Sequence, residues 1–141
     1  MLKTIIVALD SSELSQQVIQ TLDRLQIQPA TKIILCQVIP TAESEEEISV
    51  DRPHNSEDIL YQEIERQLQS YQANLPCKSE IEIVNGEPAE EIVRLAHIHH
   101  ADLIAIGSRG LTGVKRIIQG SVSSQVVTDA PCSVLVIKPS F

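Results

Sequence analysis

The sequence predicts an α/β protein: a doubly wound, Rossmann-like sheet of five parallel strands in the order 3-2-1-4-5, with helices on both faces. Two observations carry this prediction. Apolar runs alternate with helical patterns from one end of the 141 residues to the other, as strands and their crossover helices do. Hydrophobic residues make up 43% of the chain and aromatics only 2%, so Ile, Val, Leu and Ala must build the core, a mixture suited to buried parallel strands. The length fits one domain, residues 1–141, which would bury roughly two thirds of the surface exposed by the unfolded chain.

Strands are expected near 3–9, 31–38, 79–85, 102–106 and 133–138. In the first helix Leu14, Val18, Leu22 and Leu25 recur at spacings of four, four and three and share one face, and Asp10 with Glu13 has the spacing of a capping pair. Residues 40–55, polar and bracketed by Pro40 and Pro53, read as a flexible insertion rather than a lid, since no aromatic or glycine hinge suggests gating. A second helix is predicted from Ser56 to Asn74, with Ile59, Leu60, Ile64, Leu68 and Tyr71 toward the sheet and Pro76 beyond its end. Pro88 suits the first turn of a third helix burying Ala89, Ile92, Val93 and Ala96. A last helix is predicted near 122–129, stopped by Pro131, with Ser121 as its N-cap.

Eleven basic and nineteen acidic residues give a net charge of −8, which disfavours nucleic acid and anionic membrane as partners. No apolar run approaches the roughly 18 residues of a membrane span, and the N-terminus enters a strand pattern with no signal-peptide cleavage site, so the chain reads as cytoplasmic. Acid concentrates in 43–58, read as a solvated connection. Cys36, Cys77 and Cys132 lack metal-site spacing and read as reduced thiols, Cys36 in the core and Cys77 accessible in a loop. His97, His99 and His100 read as a polar helix terminus, where imidazolium complements the dipole, in preference to a metal site.

The chemistry concentrates behind the fourth strand. Gly107-Ser108-Arg109-Gly110 follows Leu103-Ile104-Ala105-Ile106, and Gly120-Ser121 comes nine residues after Gly110. Glycines let main-chain amides approach an anion, and a Gly-Ser pair opening a helix turns free N–H groups and the positive dipole end toward it. Between Asp102 and Asp129 no acidic residue occurs, while Arg109, Lys115 and Arg116 do. Val114, Ile117 and Ile118 can anchor one helical turn that holds the glycines in place. In the order 3-2-1-4-5, strands 1 and 4 meet at the switch point, bringing Asp10 opposite Gly107, with Val38 at the end of strand 2 as an apolar wall for a base. The spacing fits neither a P-loop nor a dinucleotide fingerprint, leaving a mononucleotide as the better size.

Three segments carry a family resemblance: Val7-Ala8-Leu9-Asp10-Ser11-Ser12, the Gly107-x-x-Gly110 pair with Gly120-Ser121, and Pro131-Cys132-Ser133-Val134-Leu135-Val136. Together they resemble the universal stress protein family, in its ATP-binding variant. The resemblance implies a nucleotide, ATP or AMP, bound between strands 1 and 4 in a stress-response or signalling module; whether Mg²⁺ accompanies it is not legible in the sequence. By position it places Ala8, Leu9, Asp10 and Ser11 near adenine or ribose, Val38 at the base, and Ile106, Gly107, Ser108, Arg109 and Gly110 along ribose and phosphates. Gly120, Ser121, Val122 and Ser123 would cradle the phosphate chain. Leu9 stands where the family often has a smaller residue or proline. The family forms homodimers through the last strand, and here strand 133–138 is apolar at a sheet edge with Lys138 as its charged guard, an edge that invites pairing.

A binding module is one reading; its protein partner is not legible. A slow Mg²⁺-dependent ATP hydrolase is the second, with Asp10 holding the metal and Arg109 or Lys115 stabilising the transferring phosphoryl group. No evident catalytic base supports it. A phospho-acceptor receiver domain is the third, and it lacks an acceptor Asp after strand 3, where Asn85-Gly86 stands.

Overall fold

The computed structural model describes residues 2–40, 55–108 and 116–139, with the side chains of 55–57 and 116–121 outside that description. Its strands are β1 (Thr4–Leu9), β2 (Lys32–Pro40), β3 (Lys78–Gly86), β4 (Leu103–Gly107) and β5 (Ser133–Ile137). All pairings are parallel, in the order β3-β2-β1-β4-β5. The helices are α1 (Leu14–Arg24), α2 (Asn55–Gln72), α3 (Pro88–Ile98) and α4 (Arg116–Asp129).

Period-two alternation divides the core into two layers. Ile5, Val7 and Leu9 of β1 and Ile33 and Leu35 of β2 pack with Leu14, Val18 and Leu22 of α1 and Ile64 and Leu68 of α2. Ile6, Ala8, Ile34, Cys36, Ile104 and Ile106 face the other way, against Ala89, Ile92, Leu95 and Ala96 of α3 and Val126 of α4. Strands covered on both sides must be apolar on both, which is why β1 and β2 read as continuous Ile/Val/Leu runs. No described helix is long and apolar enough to cross a membrane.

Several local expectations change. Ile59 is 53% exposed and Leu60 packs against the core. A helix admits only one stripe, and Leu60 shares it with Ile64 and Leu68 at four-residue spacing. In α3 the buried residue is Leu95, with Val93 half-buried, because Leu95 lies three residues after Ile92 on the inward stripe. Leu25 lies beyond the last turn of α1 and is exposed.

Asp102 closes the far end of the sheet. Its Oδ2 accepts the Lys3 and Thr4 amides at 2.8 and 3.0 Å, and its own N–H donates to the Thr4 carbonyl at 2.8 Å. These two backbone hydrogen bonds hold its carboxyl below the usual range. At the end of β3, Gly86 has φ 151° and an added Cβ would meet Glu91 Cγ at 2.8 Å. The chain then enters α3 through extended Glu87 and Pro88 in the first turn.

Candidate functional site

The carboxyl ends of β1, β2 and β4 lie side by side, Leu9 beside Gln37 and Ala8 beside Ile106. Strand order reverses here: β1 leads outward to β2 while β4 lies on its other side, the place where open parallel sheets leave a crevice. Asp10 follows Leu9 directly, and Gly107 ends β4, so the two chain positions singled out in sequence are brought to one edge of the sheet.

Asp10 is the hub of the β1–α1 turn. Its Oδ1 accepts the Ser12 amide at 2.8 Å and the Ser12 hydroxyl. The Ser15 hydroxyl oxygen accepts the Asp10 N–H at 2.9 Å and donates to the Asp10 carbonyl at 2.6 Å, with Oδ1 3.1 Å away. The expected capping pair is therefore replaced. Glu13 occupies the N-cap with α-helical dihedrals and makes no side-chain capping bond. The reason is competition: an Asp followed two residues later by a free amide closes an Asx turn locally, and buried Ser15 supplies the remaining partner.

One polar residue of this edge went unread in the sequence. Gln37 is 7% exposed, and its Nε2 donates to Ser11 Oγ at 3.1 Å. Its Oε1 is buried with no hydrogen-bond partner among the described residues. A lone Gln inside Ile33-Ile34-Leu35-Cys36-Gln37-Val38-Ile39 was the available signal, since a polar side chain in a strand covered on both faces needs a reason.

On the β4 side, Ile106 is buried, and Gly107 and Ser108 are half-buried. The Ser108 amide donates to the Ile137 carbonyl at 2.8 Å, so it extends the sheet and is not free for an anion. Arg109 and Gly110 lie outside the described residues, as does the 41–54 segment read as an insertion. The last helix starts at Arg116, six residues before the expected Val122. The turn expected around Ile117 and Ile118 is continuous with the final helix, and Gly120 is carried inside it, a cost of about 1 kcal/mol that a helix tolerates. Ser121 is therefore an interior residue and not the N-cap. Amides four or more residues into a helix are spent on its own carbonyls, so those of 120–123, at least four residues into the described helix, are not the free N–H groups of its N-terminus. Val122 is half-buried and Ser123 buried. Because α4 returns from β4 to a parallel β5, its N-terminal end lies at the same edge as Asp10 and Gly107.

The other candidates resolve elsewhere. Burial pushes the Cys36 thiol up to about 12, helped by the charge of Glu82. Burial also raises Cys77 and Cys132. Raised thiols are poor redox sensors. His99 Nε2 lies 3.4 Å from Glu82 Oε2, His97 is in the last turn of α3, and His100 turns away with φ 52°. A groove of about 400 Å³ at the opposite end of the sheet is lined by Leu2, Leu25, Gln26, Ile27, Gln28 and Thr31 and offers no titratable side chain.

Comparison with known proteins agrees with this architecture. Residues 1–138 match the Universal stress protein family. Universal stress protein Sll1388 of Synechocystis is 30% identical over 95% of this chain and 96% of its own length. Universal stress protein MJ0531 of Methanocaldococcus jannaschii is 48% identical over 43% of this chain, a match spanning only 36% of that relative. Among solved structures, hypothetical protein MJ0577 superposes with a TM-score of 0.84 at 30% identity, covering 98% of this chain and 96% of the other. Two further structures share the fold at lower identity. A universal stress protein in complex with cAMP has a TM-score of 0.69 at 21% identity, covering 99% of this chain and 98% of the other. The universal stress protein from Archaeoglobus fulgidus in complex with dAMP has 0.65 at 23%, covering 96% and 98%. A match over nearly the whole chain, on a sheet with this strand order, settles the classification: the chain belongs to the universal stress protein family.

Proposed function

We propose that this protein is an adenine-nucleotide-binding module of stress response or signalling that works as a homodimer. The observation that carries the reading is the meeting of Asp10, Ser11 and Gln37 with Gly107 and the head of α4 at the switch point of the sheet. Acceptors gather on the β1–β2 side, where sugar hydroxyls and a base amino group need them. On the β4 side, a glycine strand end and a helix N-terminus suit phosphate. Two fold neighbours bind cAMP and dAMP, which supports an adenine nucleotide on a sheet of this kind.

In this reading Ala8, Leu9, Asp10 and Ser11 line the sugar and base end, with Val38, half-buried at the tip of β2, against the base. Ile106, Gly107, Ser108, Arg109 and Gly110 line the phosphate path toward α4. Residues Gly120 to Ser123 take part as the helix that presents its head to the phosphates. Occupancy changes the surface around the β1–α1 turn and so partner choice. Denaturing the purified protein and identifying released small molecules by mass spectrometry tests the proposal. A stoichiometric adenine nucleotide supports it, and a different class of ligand, or failure of the emptied protein to bind AMP or ATP, contradicts it.

A further inference from the structure

Gln37 is the one buried polar side chain at this edge with an atom left unpaired among the described residues: Nε2 is held by Ser11 Oγ at 3.1 Å and Oε1 has no partner. Turning the amide over only exchanges which atom is orphaned. Leaving a buried carbonyl unpaired is unfavourable, and an apolar side chain of similar size in a strand packed on both faces would avoid it. Such an orphan at a ligand cleft points to a partner that arrives with the ligand.

Its position says which part of the ligand. Gln37 pairs with Leu9 in register, one residue before Asp10, and lies on β2, two strands from β4. That separation is about 10 Å across the sheet, on the side away from the head of α4. With phosphate at β4 and sugar over β1, the group above β2 is the base. We infer that Gln37 reads the base edge of the bound nucleotide, its Oε1 accepting a hydrogen bond from the exocyclic amino group of adenine. This rests on the nucleotide-binding reading and adds a specificity residue to it. In the orientation with Nε2 on Ser11 the free atom of the amide is an acceptor. A 6-amino purine satisfies it, and a 6-oxo purine sets oxygen against oxygen. The reverse orientation would present a donor, so a wild type that prefers IMP contradicts the inference.

Titration calorimetry with AMP and IMP on the wild type and on Gln37→Leu tests this, with a thermal melt of each protein. The wild type prefers AMP over IMP by about five- to tenfold, the range of one hydrogen bond. Gln37→Leu loses AMP affinity by that factor, its preference between AMP and IMP collapses toward one, and its melting temperature is equal or higher because the orphan is gone. Should Leu prevent folding, Gln37→Met repeats the measurement with an unbranched apolar chain. AMP affinity and AMP/IMP preference unchanged in the variant overturn the inference while leaving the nucleotide reading intact. A wild type that binds neither AMP nor ATP overturns both.

Discussion

Ser15 folds back on Asp10, its hydroxyl oxygen 2.9 Å from the Asp10 nitrogen and 2.6 Å from the Asp10 carbonyl oxygen. A residue in the first turn of α1 thereby satisfies both backbone groups of the residue that ends the approach from β1. Ser15 is 2% exposed, so no water can take over its role. Ser15→Ala is expected to cost about 1–3 kcal/mol, the penalty for leaving buried polar groups unpaired. Urea denaturation measures it. Because the same hydroxyl holds the turn that presents Asp10, nucleotide affinity should fall in the folded variant too; full stability in Ser15→Ala would show that the turn holds without it.

Asp102 contributes to the acid limb of the stability profile. Its folded pKa is lowered from the ordinary 3.8 by the Thr4 and Lys3 amides. A depressed carboxylate contributes stability that is complete above its unfolded value and is lost as pH falls from there through the folded value. Asp102→Asn should therefore flatten the pH dependence of stability below about pH 4, read as unfolding midpoints across an acid series. A variant whose midpoint falls with acid as steeply as the wild type would contradict this.

The three thiols should sort by burial. Cys36, fully buried and pushed up to about 12, is expected to react with a thiol reagent at pH 8 only as fast as the protein opens. Cys77 and Cys132, half-buried and raised by burial, should react in the native state but slower than a free thiol. Rapid, low-pH labelling at Cys77 would revive a redox role.

Gly120 separates the helix from the cradle. Alanine is favoured over glycine in a helix interior by roughly 0.5–1 kcal/mol, so within α4 Gly120→Ala should raise the melting temperature. The family resemblance also places Gly120 at the phosphates, so a methyl group there would crowd the bound nucleotide. The expected outcome combines the two: higher stability and weaker nucleotide affinity. Unchanged affinity would place the phosphates away from this turn.

The dimer reading rests on β5, at the edge of the sheet beside β4, with Val134, Leu135 and Val136 only half-buried. Val136→Lys is expected to give monomers by light scattering while circular dichroism stays native. Persisting dimers would move the interface elsewhere.

Strands β1, β2 and β4 were legible because burial on both faces imposes apolar Ile/Val/Leu-rich runs, while their order followed from the doubly wound architecture that alternating strands and helices imply. Helix faces were legible to within one stripe: Leu60, Ile64 and Leu68 emerged as expected, whereas Ile59 lay one position off the inward line beside Leu60 and Val93 one position off it beside Ile92. Where polar groups had a choice of partners, sequence fell short. Asp10 could pair with Glu13 by spacing, and the choice of Ser12 and Ser15 depended on how the chain turns out of β1. Gln37 was hidden inside an apolar run, and its meaning appeared only when β2 set it beside the β1 turn. The start of α4 was misjudged because Gly120-Ser121 carries a cap signal that the helical residues before it override.

In the proposed function an adenine nucleotide lies across the tips of β2, β1 and β4. Amide-resolved NMR of the ligand-free protein titrated with AMP, and separately with ATP, tests it most directly. Saturable shifts are expected, concentrated at Asp10, Ser11, Gln37, Val38, Gly107 and the first described turn of α4. Saturation without shifts at Asp10 and Gly107, or shifts confined to the opposite end of the sheet around Leu25 and Thr31, would contradict it.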